Sequence, residues 1–139
     1  VCSYTHERLF RPSLSRIKIV SYHGEGVDVP IVCRQCTDAP CAKVCPANAI
    51  VKDTDLERWV IDETRCIGCK LCISACVWGA MGFHSERGVA IKCDLCNGDP
   101  QCVKRCPMNA IEYVTPDRFS LVERRLVADK LLAETAIHE

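Results

Sequence analysis

The sequence predicts an α+β fold of short hairpins and one-turn helices, held by metal sites more than by an apolar core. Three observations carry that expectation. Thirteen of the 139 residues are cysteine, near the density of cross-linked or metal-stapled scaffolds. Most of them fall in three runs: Cys33-x2-Cys36-x4-Cys41-x3-Cys45, Cys66-x2-Cys69-x2-Cys72-x3-Cys76 and Cys93-x2-Cys96-x5-Cys102-x3-Cys106. The chain is therefore an internal repeat. Between the runs, polar and apolar residues alternate over stretches long enough only for small strands.

Charge and composition exclude several function classes. Lys and Arg number 18, as do Asp and Glu, and a balanced chain lacks the basic surface that nucleic acid requires. Aromatic residues make up 6%, leaving few rings to stack on bases. No stretch approaches the roughly 20 apolar residues of a membrane span. No signal peptide is visible, although the chain opens on Val1, so that absence weighs little; a cytoplasmic location is the expectation. The cysteine count is odd, and C-x2-C pairs are metal-type spacings, which favours metal over disulfides.

Taken in order, residues 1–16 hold Cys2 and a polar, proline-containing segment. Arg16-Ile17-Lys18-Ile19-Val20-Ser21-Tyr22 alternates as a half-buried strand should. His23-Gly24-Glu25-Gly26 is a turn, and Val27, Val29 and Ile31 alternate again, so a hairpin is expected with Pro30 at its edge. After the first cysteine run, Ile50-Val51 and Trp59-Val60-Ile61 flank a charged turn and read as a second hairpin. After the central run come residues 77–81, a turn near Ser85 to Gly88, and Val89-Ala90-Ile91. The last run leads into residues 108–114. Each copy thus reads as a cysteine loop, a helical turn and a short strand. Cys45-Pro-Ala-Asn-Ala-Ile and Cys106-Pro-Met-Asn-Ala-Ile are nearly identical. In residues 120–137, Leu121, Leu126, Leu131, Leu132 and Ala136 are separated by charges, the pattern of an amphipathic helix. That helix either packs on the chain itself or docks on a partner.

The central run has the bacterial spacing for a [4Fe-4S] cluster, in which the fourth cysteine ligates the other cluster of a pair. Gly68 lets the loop turn tightly. The last two cysteines of a run are four residues apart, about 6 Å along a helix axis, so they serve different cubes. On this exchange one cluster takes Cys33, Cys36, Cys41 and Cys76, and another takes Cys66, Cys69, Cys72 and Cys45. The last run offers Cys93, Cys96 and Cys102 and needs a fourth ligand, with Cys2 and Cys106 as candidates. By the exchange rule Cys106 should serve a different cube, which favours Cys2 and leaves Cys106 spare or ligand to a further cluster. Zinc in closed thiolate sites is the alternative, but three cysteines within seven residues suit a cube better than a tetrahedral ion. Arg34, Lys43, Arg65, Lys70, Lys92, Lys104 and Arg105 lie in or beside the runs, where cations raise the potential of an anionic cluster.

At Cys33-Arg-Gln-Cys-Thr-Asp-Ala-Pro-Cys-Ala-Lys-Val-Cys-Pro and Cys93-Asp-Leu-Cys-Asn-Gly-Asp-Pro-Gln-Cys-Val-Lys-Arg-Cys-Pro, the chain resembles the polyferredoxin-type electron-transfer subunits of oxidoreductases. Those include the iron–sulfur subunits of DMSO reductase, hydrogenase, formate dehydrogenase and carbon monoxide dehydrogenase. Gly98-Asp99-Pro100-x-Cys102 and His6-Glu7…Pro12-Ser13-Leu14-Ser15-Arg16-Ile17 are most similar to subunits partnering tungsten enzymes of the aldehyde ferredoxin oxidoreductase group, class II benzoyl-CoA reductases among them. The resemblance spans roughly residues 1–115. It implies a first run ending in a cysteine that Cys2 matches, with the first run paired to the last and the second to the third. It also implies three clusters from the chain as given, and four where the natural protein begins earlier. Val77 stands where a proline often follows the third run.

The resemblance implies a tandem bacterial-ferredoxin-like (4Fe-4S dicluster) fold. The expected division is residues 1–32 with 77–116 as a split outer half, 33–76 as an inner dicluster insert, and 117–139 as a helical tail. Sites closed by four thiolates leave no position open for substrate. His6, His23, His84 and His138 lack the companions of a nucleophile. The expected function is therefore that of a non-catalytic subunit relaying single electrons. It would link a larger catalytic subunit, of tungsten- or molybdenum-pterin type, to a second electron carrier. A free-standing polyferredoxin and a structural zinc module are the rival readings.

Overall fold

The computed structural model describes residues 1–114 and, beyond them, Arg118, Arg124, Arg125, Ala128 and Asp129. The chain divides into two compact units, Val1–Arg105 and Cys106–Glu139. The apolar pattern of residues 120–137 lies outside the described residues.

The first unit holds three separate two-stranded antiparallel sheets. Strand β1 (Lys18–Tyr22) pairs with β2 (Val27–Ile31), placing Ile19 opposite Pro30. Strand β3 (Ile50–Asp53) pairs with β4 (Arg58–Ile61), and β5 (Gly82–His84) with β6 (Val89–Ile91). The second and third hairpins follow the first two cysteine runs. The strand after the central run begins at Gly82, beyond the expected residues 77–81.

Each run contributes a short helix: α2 (Pro40–Lys43), α3 (Leu71–Ala75) and α4 (Gln101–Lys104). Proline at the first position of α2 suits a helix start, where its missing N–H is not needed. Each helix carries one cysteine, Cys41, Cys72 or Cys102. The last cysteine of the run, Cys45, Cys76 or Cys106, falls just past the helix end, because these helices last a single turn. Helices α2 and α3 pack together, and α4 packs on a helix the sequence did not announce, α1 (Cys2–Glu7).

Two strand expectations differ from the structure. The β1–β2 hairpin is exposed along almost its whole length, Ile19, Val20, Val27 and Val29 included. Alternation predicts one covered face, but only Lys18 and Ile31, paired at the end away from the turn, are partly buried. Residues 111–114 form no strand. A strand needs a partner for its backbone groups, and none is present among the described residues; Pro116 would also lack a donor.

The core is small and rich in sulfur. Ala39, Cys41, Ile50, Cys72, Met81 and Ala90 are its buried members, with Trp59, Ile61 and Ile73 packed against them. No large side chain among the described residues is fully enclosed.

Candidate metal centres

Two cavities in the first unit are lined by cysteines drawn from two runs each. The first, of about 390 Å³ counting its mouth, is walled by Cys33, Cys36, Cys41 and Cys76, with Trp59, Trp78, Met81 and Lys92. The second, of about 340 Å³, is walled by Cys45, Cys66, Cys69 and Cys72, with Ile50, Ile61 and Ala90. The α2–α3 pairing produces this crossing. Each helix turns its own cysteine toward one cavity, and the cysteine past its end reaches the other.

Loop geometry fixes these sulfurs. Gly68 has φ +69°, and a Cβ there would run into the carbonyl oxygen of Gly88. Lys70 caps α3 in the left-handed region and sets its ammonium 4.3 Å from the centre of the Phe83 ring. In the first run, Gln35 takes φ 48° and ties its loop to two others. Its Oε1 accepts the Trp59 backbone N–H at 2.8 Å, and its Nε2 donates to the Cys93 carbonyl at 2.9 Å. The Trp59 indole N–H donates to the Cys36 carbonyl at 2.8 Å. The Cys45 sulfur accepts the Ala49 N–H at 3.3 Å.

A third group of cysteines gathers around α1 and α4. Burial pushes the Cys96 thiol above its ordinary value; the Gln101 N–H opposes this, while Asp94, Cys2 and Cys102 push with burial. Cys2 thus lies beside the last run, and its sulfur accepts the Arg16 N–H at 3.3 Å. Asp94 holds this corner together. Its carboxylate accepts from His6 Nε2 at 2.9 Å, from Arg16 at 2.7 Å and from the Cys96 N–H at 3.1 Å. The Asp94 carbonyl accepts from Arg58 at 2.5 Å, while Arg58 pairs with Asp53 at 2.9 Å. Hairpin β3–β4, helix α1 and the Cys93–Cys96 loop are thereby locked to one another. Burial above all, with Arg16 next, holds His6 below its ordinary value.

The three groups are neighbours in series. Burial and then Cys66, Cys69 and Cys41 push the Cys72 thiol to about 11, so the two cavities adjoin through Cys41 and Cys72. Burial likewise pushes Cys93 to about 11, opposed by the Leu95 N–H and reinforced by Cys33. The first cavity therefore adjoins the third group through Cys33 and Cys93. Cys41 is raised by burial, with Lys92 pulling it back and Cys33 and Cys76 adding to the rise.

The donor spacing tests what these sulfurs suit. Four sulfurs on one zinc, each at about 2.3 Å, would stand roughly 3.8 Å apart. Among the described residues, the donor atoms that gather within 4.8 Å are those of His6, Asp94 and Cys96, and no three cysteine sulfurs do so. The four-cysteine cavities are open enough for a polynuclear core, and an all-thiolate donor set in an apolar wall suits iron–sulfur chemistry.

Cys106 belongs to the second unit and has its own cradle. Its sulfur accepts the Ala110 N–H at 3.3 Å, and Asn109 takes φ 49°. Cys45, Asn48 and Ala49 repeat that geometry, with Asn48 at φ 48°. Backbone N–H groups, Ala110 first, hold the Cys106 thiol below its ordinary value.

Sequence reasoning missed α1 and the Asp94 clamp. Short polar segments carry no periodicity, and a part-buried hydrogen bond across 88 residues has no local signature. His84 is buried, with Nε2 3.4 Å from Glu7, and His23 is exposed. His138 lies outside the described residues. Among the described residues, no helix is long and apolar enough to cross a membrane.

Comparison with known proteins agrees with this chemistry. A family model described as "4Fe-4S dicluster domain" matches residues 26–116. The polyferredoxin-like subunit of an aliphatic sulfonate oxidoreductase of Pyrococcus furiosus is 38% identical over 105 residues, covering 76% of this chain and 60% of the relative. The putative electron transport protein YsaA of Escherichia coli K12 is 43% identical over 110 residues, covering 76% of this chain and 68% of YsaA. The electron transport protein HydN of the same strain is 38% identical over 124 residues, covering 76% of this chain and 69% of HydN. This chain therefore spans under two thirds of the Pyrococcus relative's length.

Proposed function

Because this chain belongs to the 4Fe-4S dicluster family, we propose that it is a subunit relaying single electrons between a catalytic oxidoreductase subunit and a second redox partner. It is an iron–sulfur electron-transport protein and not itself the catalyst. One observation carries the relay reading: three cysteine groups adjoin in series, two of them four-cysteine cavities filled crosswise from distant runs.

Cys33, Cys36, Cys41 and Cys76 would hold one [4Fe-4S] cluster, Cys45, Cys66, Cys69 and Cys72 a second, and Cys2, Cys93, Cys96 and Cys102 a third. When bound, each cluster supplies reversible one-electron redox chemistry. The chain's own residues set the spacing of the sites, wall the cavities largely with apolar side chains and donate N–H groups to sulfur. The matching cradles of Cys45 and Cys106 favour Cys106 as ligand to a further cluster over a spare thiol.

The resemblance of residues 1–115 to subunits of tungsten enzymes supports a pterin-bound tungsten or molybdenum partner. The Pyrococcus relative, named as an oxidoreductase subunit, supports a catalytic partner in general. Residues 1–32 with 77–116 would form the outer half around the insert at 33–76.

Anaerobically purified protein tests the reading. Expected are a brown colour, broad absorption near 400 nm, and about twelve iron and twelve labile sulfide per chain, four of each to a cube. In native extracts it should co-elute with a much larger chain. Stoichiometric zinc without sulfide would end the iron–sulfur reading, and elution as a free small protein would end the subunit reading.

A further inference from the structure

Lys92 is 3% exposed, an unusual place for an ammonium. It lines the cavity of Cys33, Cys36, Cys41 and Cys76 and directly precedes Cys93. Its Nζ donates to the Cys93 carbonyl at 2.9 Å, to Gln35 Oε1 at 3.3 Å and to the Trp59 carbonyl. Three acceptors call for three N–H donors, which the ammonium has and the neutral amine lacks. All three acceptors are uncharged, and no carboxylate among the described residues pairs with Lys92.

A buried cation without an anionic partner is costly, so buried charges are paired. The groups beside Lys92 that become anionic are the cysteine sulfurs. The second cavity is different. Its lining cation, Lys70, is exposed and rests on the Phe83 ring, so water weakens its field.

We infer that Lys92 is the built-in counter-ion of the Cys33, Cys36, Cys41 and Cys76 site and holds that site's reduction potential above that of the Cys45, Cys66, Cys69 and Cys72 site. The inference rests on the iron–sulfur reading above. Reduction adds one negative charge at the first site. A fixed positive charge in a poorly screened wall favours that added charge more than an exposed one does. Lys92 is a positioning residue in this sense: it acts through the sulfurs and does not carry the electron.

The test is an anaerobic redox titration of the intact protein followed by electron paramagnetic resonance, with iron and sulfide measured on the same samples. Lys92→Met should keep its iron and sulfide while one signal becomes harder to reduce by about tenfold, a fall of about 59 mV for a one-electron couple. Lys92→Arg should stay near wild type. Where Lys92→Met does not assemble, Gln35→Glu places the missing carboxylate beside the ammonium and should lower the same potential. Fully loaded Lys92→Met or Gln35→Glu protein with every potential unchanged overturns the inference. Wild-type protein without iron and sulfide overturns the functional reading instead.

Discussion

Gly68 shows how one residue can govern a metal loop. Its φ of +69° is strained for any side chain, and a Cβ would meet the Gly88 backbone, which cannot swing aside. Gly26 has a similar φ of +66° with nothing within 4 Å. Gly26→Ala should therefore cost only the left-handed penalty of about 1–2 kcal/mol. Gly68→Ala should cost more than that and reduce iron loading, as melting curves and metal analysis of the two variants would show. The need for a glycine in the C-x2-C loop was legible in the sequence. The clash with Gly88 was not, because the two residues meet only after β5–β6 folds back.

At the scale of elements, the α2–α3 pair creates the crossing. Cys76 follows Cys72 by one helical turn, yet it lines the cavity of the first run, while Cys45 lines the cavity of the central run. Double variants test whether ligation follows. Cys76→Ser with Cys41→Ser should remove one cluster's iron and sulfide. Cys76→Ser with Cys72→Ser should remove two clusters' worth, since the effects then fall on different sites. Two clusters lost from the first pair and one from the second would mean that each run serves its own cluster. The first two hairpins were legible from the apolar stretches and turn residues, and after the central run the turn near Ser85 to Gly88 and the strand at Val89–Ile91 were legible while Gly82–His84 was not. The exposure of β1–β2 was not, because alternation reports a strand's two faces and says nothing of what covers them. Helix α1 escaped notice because six polar residues without a cap or stripe have no helical signal, and its fixing depends on Asp94.

For the whole molecule, the question is what replaces a conventional core. No large side chain among the described residues is fully enclosed, and two of the core residues are cysteines. Metal binding should thus supply much of the folding free energy. Removing the metal should lower the melting temperature sharply and weaken unfolding cooperativity, to be followed by calorimetry before and after anaerobic chelation. Loading should depend on pH with a definite sign. Cys72 and Cys93 are raised to about 11, so the metal-free protein holds these thiols protonated at neutral pH. Sulfur ligates as thiolate, so loading releases protons and strengthens as pH rises toward about 11. Iron and sulfide uptake measured at neutral and mildly alkaline pH should show the increase. The sequence by itself determined the chemistry: cysteine spacing is a local property, and it set the thiolate sites, the repeat and the short hairpins. The sequence put Lys92 beside the last run, but tertiary structure alone decided that it is buried and lines the cavity of the first. Lys92, Gln35, Trp59, His6 and Asp94 come from segments far apart in the chain, and only packing brings them within hydrogen-bonding reach of the loops they hold.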